Sequence, residues 1–343
     1  MVEAPAIRPL DVRDLRLLHR VRRDGLCLHA QVHYTRGPQA LQTAVLDVLT
    51  PGRATHTIVA RPRQPGESPA VAQITHDLGD PVARLGFLGP AACVDQPIGH
   101  HLLDALTQEA GARGAHNLIA EVDEDHAAFE CLRRAGFAVY ARQHIWGWEG
   151  TPPPPQPVYD GLWTNENPAD SDAIQWLVAN LVPGLVLQVE DPPGRGRRGL
   201  LHWDEGELRA YLDIERGPRG VWMQPYVHPA VEAVDRLLAA FVRRSSEPDR
   251  PTYVCVRSYQ GWMAGALERI GFSRVAEQAV MVRRVAATVR RAAPAAIPAI
   301  NGGRVEPTTP FAQHRMTPAG AASSTGAVSV EVPTRPRQST GSG

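Results

Sequence analysis

One offset constrains this chain more than its composition does. Shifted by 135 residues, the 343-residue sequence aligns with itself without a gap from about residue 98 to 146. Leu102 and Leu103 fall on Leu237 and Leu238, Ala105 on Ala240, Leu132 on Leu267 and Arg134 on Arg269. Gly136-Phe137 falls on Gly271-Phe272, and Ala141 and Gln143 fall on Ala276 and Gln278. A constant offset held through alternating patterns marks a duplicated unit rather than convergent amphipathic patterning. Each Gly-Phe pair follows a helical pattern, where the chain turns through a left-handed conformation that glycine tolerates best. The phenylalanine then opens the next strand and packs beneath the helix just ended.

The breaks between units are compositional. Residues 149–158 hold four consecutive prolines, which neither continue a helix nor pair inside a sheet, so they read as a stiff linker. This divides the chain into units at 1–148 and 159–286. Residues 287–343 are rich in Ala, Pro, Thr, Ser and Gly with one aromatic, Phe311, and read as a disordered tail. In the first unit the patterns predict strands over 6–10, 57–61, 70–77, 82–88, 117–122 and 137–148. Helices are predicted over 12–23, 99–112 and 125–135, with Asp11 and Asp125 as caps.

All 36 basic residues are arginine, which excludes Schiff-base chemistry, a Walker-type phosphate loop and a pyridoxal phosphate anchor. They balance 36 acidic residues, which argues against a nucleic-acid partner. The balance is uneven along the chain. The tail carries six arginines and two glutamates, so the remainder is acidic by four charges. An acidic body suits a cationic amine better than a polyanion. Four cysteines without a CxxC pair read as thiols in a reducing cytoplasm, and no apolar run is long enough to span a membrane. Arginine in place of lysine, with abundant Ala, Pro and Gly, points to a GC-rich bacterial genome.

Three segments carry a resemblance. They are Ile7-Arg-Pro-Leu-Asp-Val-Arg-Asp-Leu15, the run Gly99-His-His-Leu-Leu-Asp-Ala-Leu106, and Asp125-His-Ala-Ala-Phe-Glu-Cys-Leu-Arg-Arg-Ala-Gly-Phe137. Together they resemble the GNAT N-acetyltransferase superfamily, closely over 6–148 and more distantly over about 160–285. The resemblance implies an α/β (α+β) architecture of two tandem GNAT-like domains, each a mixed, mostly antiparallel sheet flanked by helices. It implies acetyl-CoA as co-substrate, no metal, and direct acetyl transfer to a small-molecule or peptide amine. Nothing in the sequence sets an oligomeric state.

The family's pyrophosphate loop, Arg/Gln-x-x-Gly-x-Gly/Ala, maps onto Val94, Pro97 and Gly99, with Ile98 before the last glycine. An alternative register uses Gln96 and Gly99 and puts His101 at the small residue. Backbone N–H groups at such a helix start cradle a pyrophosphate, so Pro97 removes one donor and Val94 one side chain. His100 and His101 open the helix. A splayed strand at Phe87, Leu88 and Gly89 would hold the pantetheine arm. The second motif, Asn-x-x-Ala-x-x-x-Tyr, maps onto Asp125, Ala128 and Leu132, and in the second unit onto Gln260, Met263 and Leu267. Leucine twice at the tyrosine removes that general acid, and with Val94 and Pro97 it motivates an alternative to acetyl transfer, a non-catalytic pair of GNAT-like domains that binds a ligand or a protein. Glu121 and Asp123, at a strand end, are the candidates for accepting a substrate ammonium proton. His29 and His33, four apart, have no third metal ligand in the sequence.

Overall fold

The computed structural model describes residues 5–37, 55–63, 68–150, 162–190, 192–193, 199–245 and 250–285. Most of the proline linker and the tail therefore lie outside the described residues. The first half contributes β1 (Ala6–Pro9), β2 (Leu26–Cys27), β3 (Thr55–Arg61), β4 (Ala70–Thr75), β5 (Val82–Gly89), β6 (Asn117–Val122) and β7 (Ala138–Trp148). The second contributes β8 (Trp163–Asn165), β9 (Leu200–Asp204), β10 (Glu207–Arg216), β11 (Val221–Val227), β12 (Thr252–Arg257) and β13 (Ser273–Arg284). Among the described residues no helix is long and apolar enough to cross a membrane.

The strands form one continuous sheet in the order β1-β3-β4-β5-β6-β13-β7-β12-β11-β10-β9-β8, with β2 attached to β5. Among the described residues only β5–β6 and β11–β12 pair in parallel. The two halves have exchanged their last strands. β13 lies between β6 and β7, and β7 lies between β13 and β12. At the centre Gln143 and Gln278 are register partners, and Gln143 Nε2 donates to Gln278 Oε1 at 3.0 Å. These glutamines are related by the repeat's own offset, so its pseudo-twofold axis passes between them.

The exchange completes both cores. Met281 and Ala279 of β13 join Leu85, Leu102, Leu103, Leu106 and Leu118 in the first core. Trp146 and Trp148 of β7 join Leu237, Leu238, Phe241 and Phe272 in the second.

Both Gly-Phe corners are Schellman caps. Phe137 N donates to Leu132 O and Gly136 N to Arg133 O; Phe272 N donates to Leu267 O and Gly271 N to Glu268 O, all at 3.0 Å. Leu132 and Leu267, each 1% exposed, are therefore the helix positions whose carbonyls receive the phenylalanine amide, and each shares a core with that phenylalanine. The glycines have φ of +87° and +95°, and a Cβ at either would meet no atom nearer than 3.7 Å. The cost of a side chain there is conformational alone. We expect Gly136→Ala and Gly271→Ala each to lose about 1–2 kcal/mol in urea unfolding.

The start of the first half is fixed by a buried carboxylate. Asp14 is fully buried, caps the backbone at Asp11, and receives Arg8 at 2.6 Å and Arg61 at 2.8 Å. Burial raises its pKa, but the hydrogen bonds from Arg8 and Arg61 outweigh that and bring it from 3.8 to about 2. A depressed carboxyl stabilises the fold above its unfolded pKa and loses that contribution as pH falls through the folded one. Asp14→Asn should therefore be less stable by about 2 kcal/mol at neutral pH. Denaturation measured from neutral pH downward should show the difference vanishing as the pH approaches 2.

Candidate functional site

In each half the parallel strand pair opens like a V. β5 and β6 pair only at Val82–Asn117, Ala83–Leu118 and Arg84–Ile119. β11 and β12 pair only at Val221–Thr252, Trp222–Tyr253 and Met223–Val254. Beyond these points the facing backbone groups need other partners.

In the first half the partner is the chain itself. Leu26 and Cys27 lie antiparallel to Leu88 and Phe87. Leu28 N donates to Gly86 O at 3.1 Å, and Glu121 N donates to Leu28 O at 2.9 Å. Residues 26–28 thus bridge β5 and β6, at the positions the family resemblance gives to pantetheine. Gly25 lets the segment approach, since a Cβ there would sit 1.9 Å from the Phe87 ring. Gly89 lies beside the same ring, 2.8 Å from a Cβ built on it.

The segment is anchored by the helix that follows it, Ala30–Arg36. Tyr34 of this helix packs on Trp222 and Tyr253 of the other half, at centroid distances of 5.9 and 4.4 Å. Arg219 N donates to Thr35 O at 2.9 Å, and Arg36 pairs with Glu215 at 3.3 Å. His29 heads this helix and His33 lies on it; among the described residues no three metal-ligating groups come together.

The loop after β5 is a tight turn. A 3-10 turn at Ala91–Asp95 leads through Gln96 into the helix Pro97–Ala112. Val94 and Ile98 are buried in the first core. Gly99 N donates to Gln96 O and Gln96 N to Cys93 O, both at 3.1 Å. A Cβ on Gly99 would stand 2.4 Å from Cys93 O, so this glycine is needed where the turn packs on the helix. His100 and His101 are half-buried in the first turn.

The acidic strand end divides. Glu121 is buried, and its carboxylate accepts the Ala30 N–H. Asp123 and Asp125 are exposed. The helix predicted to start at Asp125 is capped instead by His126, whose Nδ1 accepts from Ala128 N at 3.1 Å. The imidazole nitrogen takes the place of the expected carboxylate, and Asp125 stays outside the helix. Asp123, His33, His126 and Cys27 line a cavity of about 310 Å³ that Glu121 also reaches. Burial and the nearby Glu121 carboxylate push the Cys27 thiol up to about 11, which keeps it protonated at neutral pH.

In the second half a side chain fills the opening. With its amide oriented to satisfy both neighbours, Gln260 donates to Pro225 O at 2.6 Å and accepts from Val227 N at 3.3 Å. It is 3% exposed. Its sequence position matches the asparagine of the second motif, and no local pattern signals this contact.

Between the openings lies a polar cavity of about 360 Å³ lined by both halves. Glu190, which no sequence pattern singles out, receives Arg257 at 2.9 Å and the Tyr140 hydroxyl, with Arg84 at 3.8 Å. Burial opposes its ionisation, but the charges of Arg257 and Arg84 and the Tyr140 hydrogen bond hold its pKa below the usual range.

No family model and no curated protein matches the sequence. Solved structures do. A candidate acetyltransferase from Pyrococcus horikoshii superposes with a TM-score of 0.51 at 12% identity, covering 83% of this chain and 90% of its own. A tandem GNAT protein from the clavulanic acid biosynthesis pathway gives 0.48 at 18%, covering 82% and 99%. A GCN5-related N-acetyltransferase from Sphaerobacter thermophilus gives 0.47 at 13%, covering 82% and 96%. The first of these, with the V-shaped strand pairs and the repeat, makes this chain a tandem GNAT-fold protein.

Proposed function

We propose that this chain is a ligand-binding GNAT-fold pair that works without acetyl-CoA, its ligand held in the cavity shared by the two halves. The observation that carries this reading is the bridge of Leu26–Leu28 across β5 and β6. A pantetheine arm would need the backbone groups that this segment already pairs. Gln260 does the same in the second half. The pyrophosphate end fits no better, since Pro97 has no N–H and Gly99 spends its own on Gln96 O. On this reading the pantetheine end is taken and the pyrophosphate end lacks two donors, which leaves acetyl-CoA without its usual hold on the closed chain. Calorimetry of the full chain with acetyl-CoA and with CoA should give no heat at millimolar cofactor. Pro97→Gly should gain no affinity, because the opening beyond it stays filled.

Acetyl transfer to an amine is the second reading. It draws on the fold and on Asp123, exposed beside the 310 Å³ cavity, and it requires residues 26–30 to withdraw. Tyr34→Ala removes the ring that anchors the following helix. Under the second reading this variant gains acetyl-CoA binding; under ours it loses stability and gains none. Gly99 has a packing role under either reading. We expect Gly99→Ala to be destabilised by about 1–3 kcal/mol with no ligand present, as overpacking against the Cys93 carbonyl requires. Thermal unfolding of the ligand-free variant measures this.

A further inference from the structure

The halves diverge where they share the central cavity. The repeat offset sets Glu121 of β6 against Val256 and sets Val122 against Arg257 of β12. Each half has thus placed one charge that its counterpart lacks, negative from the first and positive from the second, and both line the same space.

Arg257 is 3% exposed. Its Nη2 is engaged by Glu190 at 2.9 and 3.1 Å, while Nε and Nη1 have no hydrogen-bond partner. A guanidinium carries five N–H donors, so three of them lack an acceptor. Such donors are costly inside a protein unless a ligand completes them. Arg84 lines the cavity beside it, with 28% of its side chain exposed and only a 3.8 Å approach to Glu190. Glu190 already stands between the two guanidiniums, so a second carboxylate would be met by Nε and Nη1 of Arg257 and by the exposed part of Arg84.

The rest of the lining carries the opposite sign. Glu121 and Asp213 face the cavity from β6 and β10, and Asp77 and Asp80 line it from the β4–β5 turn. Counting Glu190, the described lining holds five carboxylates against two guanidiniums, with His29 besides. A plain anion is repelled by that excess. A zwitterion with a second positive group, net +1, reduces the excess of three to two while still offering a carboxylate to the guanidiniums. The volume, about 360 Å³, admits a molecule of that size.

We infer that this cavity binds a free amino acid with a cationic side chain, its carboxylate taken by Arg257 and Arg84 and its ammonium groups by the acids opposite. This rests on the ligand-binding reading above and names the ligand class for that cavity.

The test is calorimetry of the full chain with L-lysine, with cadaverine, which lacks the carboxylate, and with acetyl-CoA. L-lysine should bind, and cadaverine should bind at least about tenfold more weakly, the loss expected for a charged hydrogen-bonded group. Arg257→Gln combined with Glu190→Gln leaves no lone fully buried charge and should weaken L-lysine several-fold toward the cadaverine level, with Arg84 holding the remainder. Arg84→Gln, at a partly exposed position, should weaken L-lysine in a fold unchanged by circular dichroism. Equal binding of cadaverine and L-lysine overturns the inference, as does full L-lysine affinity in both variants. No heat from L-lysine or from acetyl-CoA overturns the amino-acid assignment alone. Heat from acetyl-CoA with none from L-lysine overturns the ligand-binding reading itself.

Discussion

The exchange of the last strands is the constraint on which the rest depends. In the first half the sheet opens between β5 and β6, and the strand that flanks β6 on its other edge belongs to the other half. β13 closes the first half against β6, and β7 closes the second against β12. Met281 and Trp146 therefore sit in cores far from their own helices in sequence. Neither half can complete its sheet without the other, and the space between the two openings becomes one shared interior. The Gln143–Gln278 hydrogen bond marks the centre of that arrangement. It is also the point where a duplicated sequence meets itself.

The open strand pairs create a demand that the chain then meets internally. Diverging strands leave amides and carbonyls that must be paired. In the first half Leu28 supplies both a donor and an acceptor. In the second the Gln260 amide supplies both from one side chain. The two solutions differ in kind, backbone against side chain, but each uses the groups that a cofactor arm would use. The helix behind Leu28 is then fixed by Tyr34 against Trp222 and Tyr253 of the other half. The bridge is thus tied to the same contact between halves that the strand exchange creates.

Much of the fold is legible in the sequence because local signals agree with it. The Gly-Phe corners stand out, and both are Schellman caps closed on the carbonyls of Leu132 and Leu267. The helix at 97–112 and the strands at 82–89 and 117–122 follow their patterns. The strand exchange is not legible, because β7 and β13 carry alternation that suits either neighbour equally. A two-residue strand such as Leu26–Cys27 has no period to detect. Asp125 reads as a cap one residue early, a boundary that propensity does not resolve. Glu190 and Arg257 are separated by 67 positions and meet only through the sheet. Glu121 stands out for its charge, but its role on the Ala30 amide depends on a segment 91 positions away.

Amide hydrogen exchange at Leu28 and Glu121 tests the central claim most directly. These two N–H groups make the bridge, donating to Gly86 and to Leu28. If the chain fills its own opening, both are protected in the ligand-free protein, and millimolar acetyl-CoA leaves that protection unchanged. Exchange at the rate of an exposed loop, or a change in protection when acetyl-CoA is added, would contradict it.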